Sequence, residues 1–481
     1  MKKKLLVICL LTTSFVITGC KTPKKEDDSG KITGTIQERL KKLSRVKSVT
    51  TLSSTRDFEN VFELTFEQYI DHKDHSVGTF EQRIQFGYNG IDCPNVYTTN
   101  GYFLYDINYA YYQESEIELA FLLHGNYLYV EHRYFGESLP VSLDYNNNDT
   151  WKYLTTEQAA DDAHEIVTQF KRILDGKWLS TGASKGGMTT EMFAYYHPGD
   201  VDLYVPYVAP FCNSFHDTRM MTFIYEEAGD QQYGEEKAAK LRDEVLEFQV
   251  KLLEYREILA PRFYTDGTSS GEVFSTSATQ DTLYDAAVLE FAIGFWQYNQ
   301  DYKSVEKALD MSETSEAALT NKINQFYSVF TSVCAPDDYS INNDFTPYYI
   351  QAYQELGNYG YDFHYIRDAL TDKSLLTISE EDELDLMWKL VLNDAQIQLE
   401  QRDLMYTKIN NMLKTTEEQF IIIYGSSDPW YSVRPDDVED RENINIYVNK
   451  KHPHGSNVSN FDRKTSANIL NKIKGIMGVD E

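Results

Sequence analysis

Residues 177–187, KWLSTGASKGG, combine a short β-prone run with a G-x-S-x-G pattern centred on Ser184. The next residues, 188–196, favour a helix, which is expected to end before Pro198, because the residue preceding a proline avoids helical backbone angles. A strand, a tight turn with a central serine and a helix form the context of a nucleophile elbow. Both flanks of the serine must be small in so sharp a turn. Ser184 is therefore a candidate nucleophile, the alternative being an ordinary glycine-rich turn with an incidental serine.

Predicted strands and helices alternate on both sides of this turn. Residues 126–131 are predicted as a strand, and Thr155 with Gln158 three positions later forms a capping-box pattern at the start of a helix. Another strand is predicted at residues 203–208. Alternation of this kind indicates a parallel sheet covered by helices.

The chain before this region predicts a short helix followed by antiparallel strands. Residues 36–48 have the apolar spacing of an amphipathic helix. Residues 58–70 and 79–88 alternate apolar and polar side chains, as half-buried antiparallel strands do. A further strand is expected at residues 95–98.

A long helical block interrupts the alternating pattern. Residues 216–404 are rich in Glu, Lys, Ala and Leu at helical spacing and contain few strand candidates, whereas buried strands reappear at 419–424 and 444–448. The sequence therefore predicts an α/β-hydrolase fold with a core formed by residues 36–215 and 405–481. The helical cap, residues 216–404, is inserted between the half with the serine and the half expected to supply an acid and a base.

Those two partners follow the resumed strands. A serine hydroxyl needs a histidine to take its proton and a carboxylate to hold that histidine. In this fold they come in the order Ser, Asp, His, on loops after late strands. Asp428 and His454 occupy those places. For the acid, a turn-forming role before Pro429 is the alternative, and Asp436 and Asp437 lie farther from the strand end. For the base, His452 is the alternative, although its position before a proline favours an extended conformation.

Stabilisation of a tetrahedral intermediate requires two N–H donors. One is expected from the backbone of Lys185, directly after the nucleophile. The other is expected from the loop after the third core strand, where Tyr102 or Gly101 is the candidate, although the segment can also be a plain turn. The H-G-G-G pattern common at that place is absent.

The N-terminal residues predict a secreted lipoprotein. Residues 1–20 begin with Met1 and three lysines, continue with an apolar stretch too short to span a bilayer, and end in small residues before Cys20. This pattern predicts a signal peptide whose cleavage leaves Cys20 as the lipidated terminus; an ordinary secretory signal is the alternative. Residues 21–35 are polar and predict a flexible tether. The expected location is the bacterial cell envelope, at the outer membrane or the cell surface, with a membrane contact through Cys20.

The composition and motifs also argue against several kinds of binding partner. The formal net charge of −30 argues against nucleic acid, because phosphate binding requires clustered cations. Without a C-x-x-C or H-E-x-x-H motif, neither a metal nor a cofactor is expected. After Cys9 and Cys20 are set aside, three cysteines remain, Cys93, Cys212 and Cys334, so at most one intrachain disulfide can form and its pairing stays open.

Several motifs resemble those of a known family. The stretches VEHRYFGES at 130–138, GASKGGM at 182–188 and YGSSDPW at 424–430 are together similar to the secreted prolyl tripeptidyl aminopeptidases, serine peptidase family thirty-seven of the PS-10 type. Further matches lie at 290–297 and 348–357. Lysosomal prolyl carboxypeptidase and dipeptidyl peptidase II are enzymes related to this family. The resemblance covers nearly all of the chain after the tether.

This resemblance implies a serine exopeptidase that releases short peptides from a free N-terminus, often after proline. The resemblance assigns the catalytic roles of the family to Ser184, Asp428 and His454. It also puts Trp296 and Gln297 of the cap near the cleft, where an aromatic wall would suit a proline ring, although core packing explains Trp296 equally well. A carboxylate that binds the substrate ammonium is expected in such an enzyme, and Glu290 is the candidate.

Two other functions remain open on the sequence. One is an esterase or lipase of the same fold, against which the long polar cap counts. The other is a non-catalytic surface binding protein on the same scaffold, because fold alone does not guarantee activity. The residue preferred before the scissile bond, the number of residues released and the oligomeric state are not readable from the sequence.

Overall fold

The computed structural model describes residues 30–53, 58–104, 117–298, 302–311, 315–436 and 438–479. The predicted signal peptide, Cys20 and most of the predicted tether lie outside these residues. Within the described part of the chain, the helices are all too short or too polar to cross a membrane.

One mixed sheet of nine strands organises the molecule. Its strands are β1 Val46–Leu52, β2 Asn60–Tyr69, β3 Thr79–Tyr88, β4 Asn95–Thr99, β5 Asn126–Val130, β6 Trp178–Ala183, β7 Leu203–Tyr207, β8 Phe420–Gly425 and β9 Ile444–Asn449. They lie in the order β1-β2-β3-β5-β4-β6-β7-β8-β9. The pairs from β1 to β5 are antiparallel, and those from β5 through β9 are parallel. The carboxyl ends of the parallel strands therefore meet at one edge, where their loops can share a site.

Sixteen α-helices are present in the described residues. They are α1 Ile36–Lys42, α2 Glu118–Leu123, α3 Thr156–Phe170, α4 Lys185–Tyr196, α5 Arg219–Glu226, α6 Asp230–Tyr233, α7 Glu235–Glu254, α8 Arg256–Ser270, α9 Gln280–Tyr298, α10 Tyr302–Asp310, α11 Glu316–Thr331, α12 Thr346–Gln351, α13 His364–Ala369, α14 Glu383–Val391, α15 Met405–Thr415 and α16 Arg463–Met477. Between β7 and β8 the regular elements of the described chain are all helical. The predicted fold class, an α/β-hydrolase fold with a helical insertion, is confirmed, whereas the exact domain boundaries at 215/216 and 404/405 stay predictions.

Both faces of the sheet are covered by apolar side chains. On one face, α3 and α4 pack against the strands in a core that is continuous with the interior of the helical insertion. On the other face, α2 and α16 cover the central strands. The predicted start of α3 is as expected, because the Thr155 side chain accepts a hydrogen bond from the Gln158 N–H at 3.2 Å.

The N-terminal prediction needs one correction. The helix expected over residues 36–48 ends at Lys42, and Val46–Leu52 forms the edge strand β1 instead. Pairing with β2 from Val46 to Leu52 satisfies backbone groups that a longer helix would have satisfied internally. The remaining cysteines, Cys93, Cys212 and Cys334, are all free thiols.

Candidate active site

Ser184 lies in the turn between β6 and α4 with a left-handed φ of +55° and ψ of −121°. A non-glycine residue with positive φ is strained, and such strain persists where surrounding contacts enforce it. One such contact is the hydrogen bond of 2.9 Å that the Ser184 N–H donates to the carbonyl of Tyr207 in β7. The turn presents the half-buried hydroxyl beyond the carboxyl end of the sheet.

The glycines around Ser184 are required by close backbone packing. A Cβ placed on Gly186 would lie 2.3 Å from the carbonyl oxygen of Thr99, at the end of β4. A Cβ on Gly182 would lie 2.5 Å from that same oxygen. The Thr99 hydroxyl also donates a hydrogen bond of 2.6 Å to the carbonyl of Gly186. The elbow is thus pressed against the end of the neighbouring strand, as its glycine spacing predicts.

The predicted acid and base are in contact. Asp428 follows β8 and His454 follows β9, and Nδ1 of His454 lies 2.7 Å from Oδ2 of Asp428. The other carboxylate oxygen of Asp428 accepts a hydrogen bond from the Trp430 N–H at 3.1 Å. Asp428 is fully buried, and the His454 side chain is 11% exposed. A carboxylate can only accept, so Nδ1 carries the proton and Nε2 is left as a base.

The alternatives weighed for these two positions lie elsewhere. His452 is exposed on the same loop. Asp436 is also exposed and pairs with Arg219 at 3.0 Å, while Asp437 lies outside the described residues. The loop carrying His454 is held by the cap, because the His454 N–H donates to the Gln297 carbonyl at 3.1 Å.

Ser184 and His454 line one cavity of about 510 Å³ between the sheet edge and the helical insertion. Asn100, Tyr102 and Lys185 lie on its floor, and the insertion contributes Gln297, Tyr298, Phe345 and Tyr348. Trp430, directly after the acid loop, completes an aromatic wall. The cavity can hold a small peptide segment against the serine.

Two backbone N–H groups at this cavity have no protein acceptor in the described chain. Lys185 begins α4, so its N–H has no intrahelical partner. The Tyr102 N–H lies in an irregular loop and donates to none of the described residues. Gly101 lines a small internal space behind the loop rather than the cavity. Of the two predicted candidates for the second donor, Tyr102 is therefore the better placed.

Glu290 lines a second cavity of about 560 Å³ that adjoins the first, since Gln297, Tyr298, Phe345 and Trp430 border both. Three hydroxyls donate to its carboxylate: Tyr339 at 2.8 Å, Tyr359 at 2.9 Å, and Tyr361. Burial raises the pKa of Glu290 against the opposing effect of these hydrogen bonds.

The second cavity is strongly acidic. Its described lining contains five carboxylates and no lysine or arginine; the carboxylates are Glu272, Glu290, Asp337, Asp338 and Asp344. Burial and the nearby Glu290 raise the pKa of Asp338 to about 6, although a backbone hydrogen bond opposes the shift. A cavity of this kind attracts cations and loses part of its negative charge below about pH 6.

The two other residues predicted to contact the substrate, Gln297 and Trp296, lie in different surroundings. Gln297 borders both cavities, whereas Trp296 borders neither among the described lining residues. The Trp296 ring is buried in the cap against Phe295, at 5.6 Å between ring centroids, and over Gly229, whose missing side chain leaves room for it. The alternative of core packing thus accounts for Trp296, because on α9 it faces the interior. The aromatic wall is formed by Tyr298, Phe345 and Trp430 instead.

Sequence reasoning missed the tyrosines that hold Glu290 and the phenylalanine shared by the two cavities. Tyr359 and Tyr361 alternate with Gly360 in an extended segment, a spacing that places both side chains on one side. That local signal was available. Nothing in the sequence, however, connects this segment to Glu290, some seventy positions away.

The motif at 131–133 forms a buried polar network behind the site. Arg133 contacts Asp162 through two hydrogen bonds of 2.7 Å. Glu131 accepts hydrogen bonds from the backbone N–H groups of Leu104 and Ser138, among others. Arg133 is thus paired with an opposite charge and Glu131 has hydrogen-bond donors, and such partners are the condition for burying a charged group.

The chain is similar to known peptidases over most of its length. A family model described as "PS-10 peptidase S37" matches residues 35–480. The chain is 26% identical over 371 residues to "Prolyl tri/tetrapeptidyl aminopeptidase" of Streptomyces mobaraensis, covering 76% of this chain and 69% of that protein. It is 29% identical over 159 residues to "Lysosomal Pro-X carboxypeptidase" of Homo sapiens, covering 29% and 30% of the two chains.

Solved structures are more distant. The crystal structure of a proline iminopeptidase of Mycobacterium smegmatis aligns with a TM-score of 0.36 at 10% identity, covering 85% of this chain and 98% of that one. A similarity this low supports no argument about the site.

Proposed function

Because the chain belongs to the PS-10 peptidase S37 family and is therefore a serine peptidase, we propose that it releases short peptides from the free N-terminus of polypeptides through Ser184, Asp428 and His454. The observation that carries this proposal is the contact of 2.7 Å between His454 and the buried Asp428, on the same cavity as the strained Ser184. The similarity to a prolyl tri/tetrapeptidyl aminopeptidase supports the exopeptidase activity.

The reaction proceeds through an acyl-enzyme. The Ser184 hydroxyl attacks the scissile carbonyl carbon while His454 Nε2 takes its proton. Asp428 holds the Nδ1–H and stabilises the imidazolium that forms. The oxyanion accepts hydrogen bonds from the Lys185 and Tyr102 N–H groups. His454 then returns the proton to the leaving amine, and a water molecule hydrolyses the ester in the reverse sequence of proton transfers.

The acidic second cavity supports cleavage from the amino end. A peptide whose scissile bond lies at Ser184 can extend its N-terminal residues past Gln297 and Trp430 towards Glu290. The ammonium group there meets carboxylates without competing cations, and charge-assisted hydrogen bonds of this type are strong. A peptide's C-terminal carboxylate would be repelled by the same cavity. The distance between the two sites limits the number of residues released.

The test of the nucleophile uses Ser184→Ala. We expect the wild-type enzyme to react with a fluorophosphonate probe and to cleave a tripeptide anilide ending in proline, and the variant to do neither while keeping its thermal unfolding temperature. Persistent labelling of the folded variant would refute the assignment of Ser184.

The test of the substrate class compares free and N-acetylated peptides of the same sequence, with a p-nitrophenyl ester as a third substrate. An aminopeptidase cleaves the free peptide and spares the acetylated one. Efficient hydrolysis of the ester alone would favour an esterase, and binding of a peptide without hydrolysis would favour a binding protein. Mass spectrometry of a digested peptide library then gives the product length.

We also propose that the enzyme is anchored to the cell envelope by lipid on Cys20. The basic, apolar and small-residue succession of residues 1–20 supports this proposal. Cys20→Ser should move the protein from the membrane fraction to the soluble fraction, and an unchanged distribution would contradict the anchor.

A further inference from the structure

The side chain of Lys185 has no part in the mechanism given so far, yet it is buried beside the nucleophile. Only 1% of the residue is exposed. Its Nζ donates a hydrogen bond of 2.7 Å to the carbonyl oxygen of Gly101. Nζ also lies over two aromatic rings, 5.1 Å from the centroid of Phe135 and 5.5 Å from that of Tyr102. A lysine is rarely buried to this extent without a specific partner.

The acceptor of this hydrogen bond belongs to the peptide unit that supplies the second oxyanion donor. The Gly101 carbonyl and the Tyr102 N–H are the two ends of one planar trans peptide, and they point in opposite directions. An atom that holds the carbonyl on one side therefore directs the N–H to the other side. Tyr102 lines the catalytic cavity there, and its N–H has no acceptor among the described residues.

The loop that contains Gly101 and Tyr102 is held in place by contacts from other parts of the chain. Gly101 has a left-handed φ of +86°, and a Cβ at this position would lie 2.7 Å from the backbone nitrogen of Gly186. The following carbonyl, that of Tyr102, accepts a hydrogen bond of 2.9 Å from the His132 N–H. The peptide after Tyr102 is thus fixed by the backbone, whereas the peptide before it is fixed by the Lys185 side chain.

We propose that Lys185 is a positioning residue that orients the oxyanion hole: its side-chain Nζ holds the Gly101 carbonyl so that the Tyr102 N–H points at the developing oxyanion. Lys185 then provides one oxyanion donor, its own backbone N–H, and uses its side chain to position the other donor, the Tyr102 N–H. The inference rests on the proposed function, because an oxyanion forms only if Ser184 attacks a carbonyl.

Burial lowers the pKa of Lys185 well below that of an exposed lysine. The hydrogen bond to Gly101 requires only an N–H, so it survives in either protonation state of the amine. The effect on catalysis is therefore positional rather than a direct charge effect.

The experiment replaces the donor and keeps the aliphatic stem, with Lys185→Met. Removal of one oxyanion donor lowers kcat by about 10²–10³-fold in serine peptidases. A misdirected donor should cost less, so we expect kcat to fall by about 10- to 100-fold with KM nearly unchanged. Lys185→Gln, whose shorter polar side chain leaves space for water at the Gly101 carbonyl, is measured in the same way and replaces Lys185→Met if that variant does not fold.

A second readout separates positioning from general damage. The boronic acid analogue of a peptide that the wild-type enzyme releases forms a tetrahedral adduct with Ser184 and places an oxygen in the oxyanion hole. The released peptide itself does not. We expect the affinity for the boronic acid to fall by the same factor as kcat, and the affinity for the released peptide to stay within about twofold.

The chain offers a matched control in the helical insertion. Lys322 on α11 is also buried, donates to a backbone carbonyl, that of Met311 at 2.9 Å, and lies over an aromatic ring, that of Phe326. It does not line the catalytic cavity. Lys322→Met repeats the chemical change and should leave kcat and the boronic acid affinity unchanged.

Equal losses of affinity for the boronic acid and the released peptide would overturn the proposal, as would a folded Lys185→Met enzyme with wild-type kcat. Failure of the wild-type enzyme both to cleave peptides and to bind the boronic acid would instead refute the proposed function. The two failures are therefore distinguishable.

Discussion

At the scale of single residues, Glu191 is a buried carboxyl group near the site whose ionisation should destabilise the folded protein. It lies on α4, the helix that directly follows Ser184, and is completely buried. In the described chain neither carboxylate oxygen has a hydrogen-bond partner. Burial raises its pKa from 4.5 to about 8. The folded protein therefore favours the neutral acid, and ionisation of Glu191 opposes folding.

The consequence is a loss of stability with rising pH. Between the unfolded pKa of 4.5 and the folded pKa of about 8, the folded state binds more protons than the unfolded state, so this group lowers the free energy of unfolding as pH rises. At 1.36 kcal/mol per pKa unit, the full effect is about 5 kcal/mol above pH 8.

Glu191→Gln, which cannot ionise, tests this directly. We expect the variant to be more stable than the wild type at pH 9, with an advantage that shrinks steadily towards pH 5, as measured by denaturant unfolding at each pH. Glu236→Gln is the control, because the Glu236 side chain is 94% exposed on α7. An advantage of Glu191→Gln that did not change with pH would contradict the raised pKa.

At the scale of elements, the elbow depends on how β4 ends against α4. The carbonyl of Thr99 and the backbone of Gly186 are in direct contact, and the Thr99 hydroxyl also bonds to the Gly186 carbonyl. Neither partner is a flexible side chain that could swing away. The separation between the two elements therefore fixes the position of the Ser184 hydroxyl relative to the loop that is proposed to supply an oxyanion donor.

Gly186→Ala should separate these elements. The added Cβ would lie 2.3 Å from the Thr99 carbonyl oxygen, so strand and helix must shift. We expect a loss of about 2–3 kcal/mol in the free energy of unfolding, as overpacking costs, and at least a hundredfold drop in fluorophosphonate labelling rate.

Gly475→Ala is the matched control for this substitution. Gly475 lies within α16, and no atom lies within 4 Å of a Cβ built there. Alanine should stabilise that helix by about 0.5–1 kcal/mol and leave labelling unchanged. If Gly186→Ala behaved like Gly475→Ala, the steric account of the elbow would be wrong.

At the scale of the whole molecule, the helical insertion completes a site that the sheet begins. It contributes Tyr298 and Phe345 to the wall of the first cavity and Glu290 to the second, and Gln297 holds the loop of His454. In the proposed mechanism the nucleophile and its partners come from the sheet edge, whereas we expect the selectivity for a chain end to reside in the insertion.

Glu290→Gln tests whether the helical insertion provides the selectivity for a free N-terminus. Loss of a charge-assisted hydrogen bond costs about 1.5–3 kcal/mol, so KM for a peptide with a free N-terminus should rise by about 10- to 100-fold. We expect kcat to change little, because Glu290 does not touch the reacting atoms. The inhibition constant of a free product peptide should rise accordingly, and that of its N-acetylated form should not.

Asp344→Asn provides the comparison, since Asp344 borders the same cavity but is exposed, where water screens its charge. Its effect on KM should be less than about threefold. Equal losses for the free and the acetylated peptide in Glu290→Gln would assign Glu290 a structural role within its tyrosine cluster rather than a role in binding the ammonium group.

The sequence alone predicted the features that depend on neighbouring residues. The turn at Ser184 is encoded by adjacent glycines, and Asp428 and His454 stand directly after apolar strands, so their place at one sheet edge follows from strand direction. The alternating α/β pattern and the helical insertion were visible for the same reason. The edge strand β1 was missed because its stability comes from pairing with β2 rather than from its own pattern.

Only the tertiary structure decided which side chains face the cavities. It brings His454 rather than His452 to Asp428, places Tyr102 rather than Gly101 on the first cavity, buries Trp296, and gathers three tyrosines around Glu290. A local pattern fixes the backbone over a few residues, but the direction of a loop side chain depends on packing between segments far apart in the chain. The candidate catalytic residues were therefore predictable from the sequence, whereas the walls of the two cavities were revealed only by the tertiary structure.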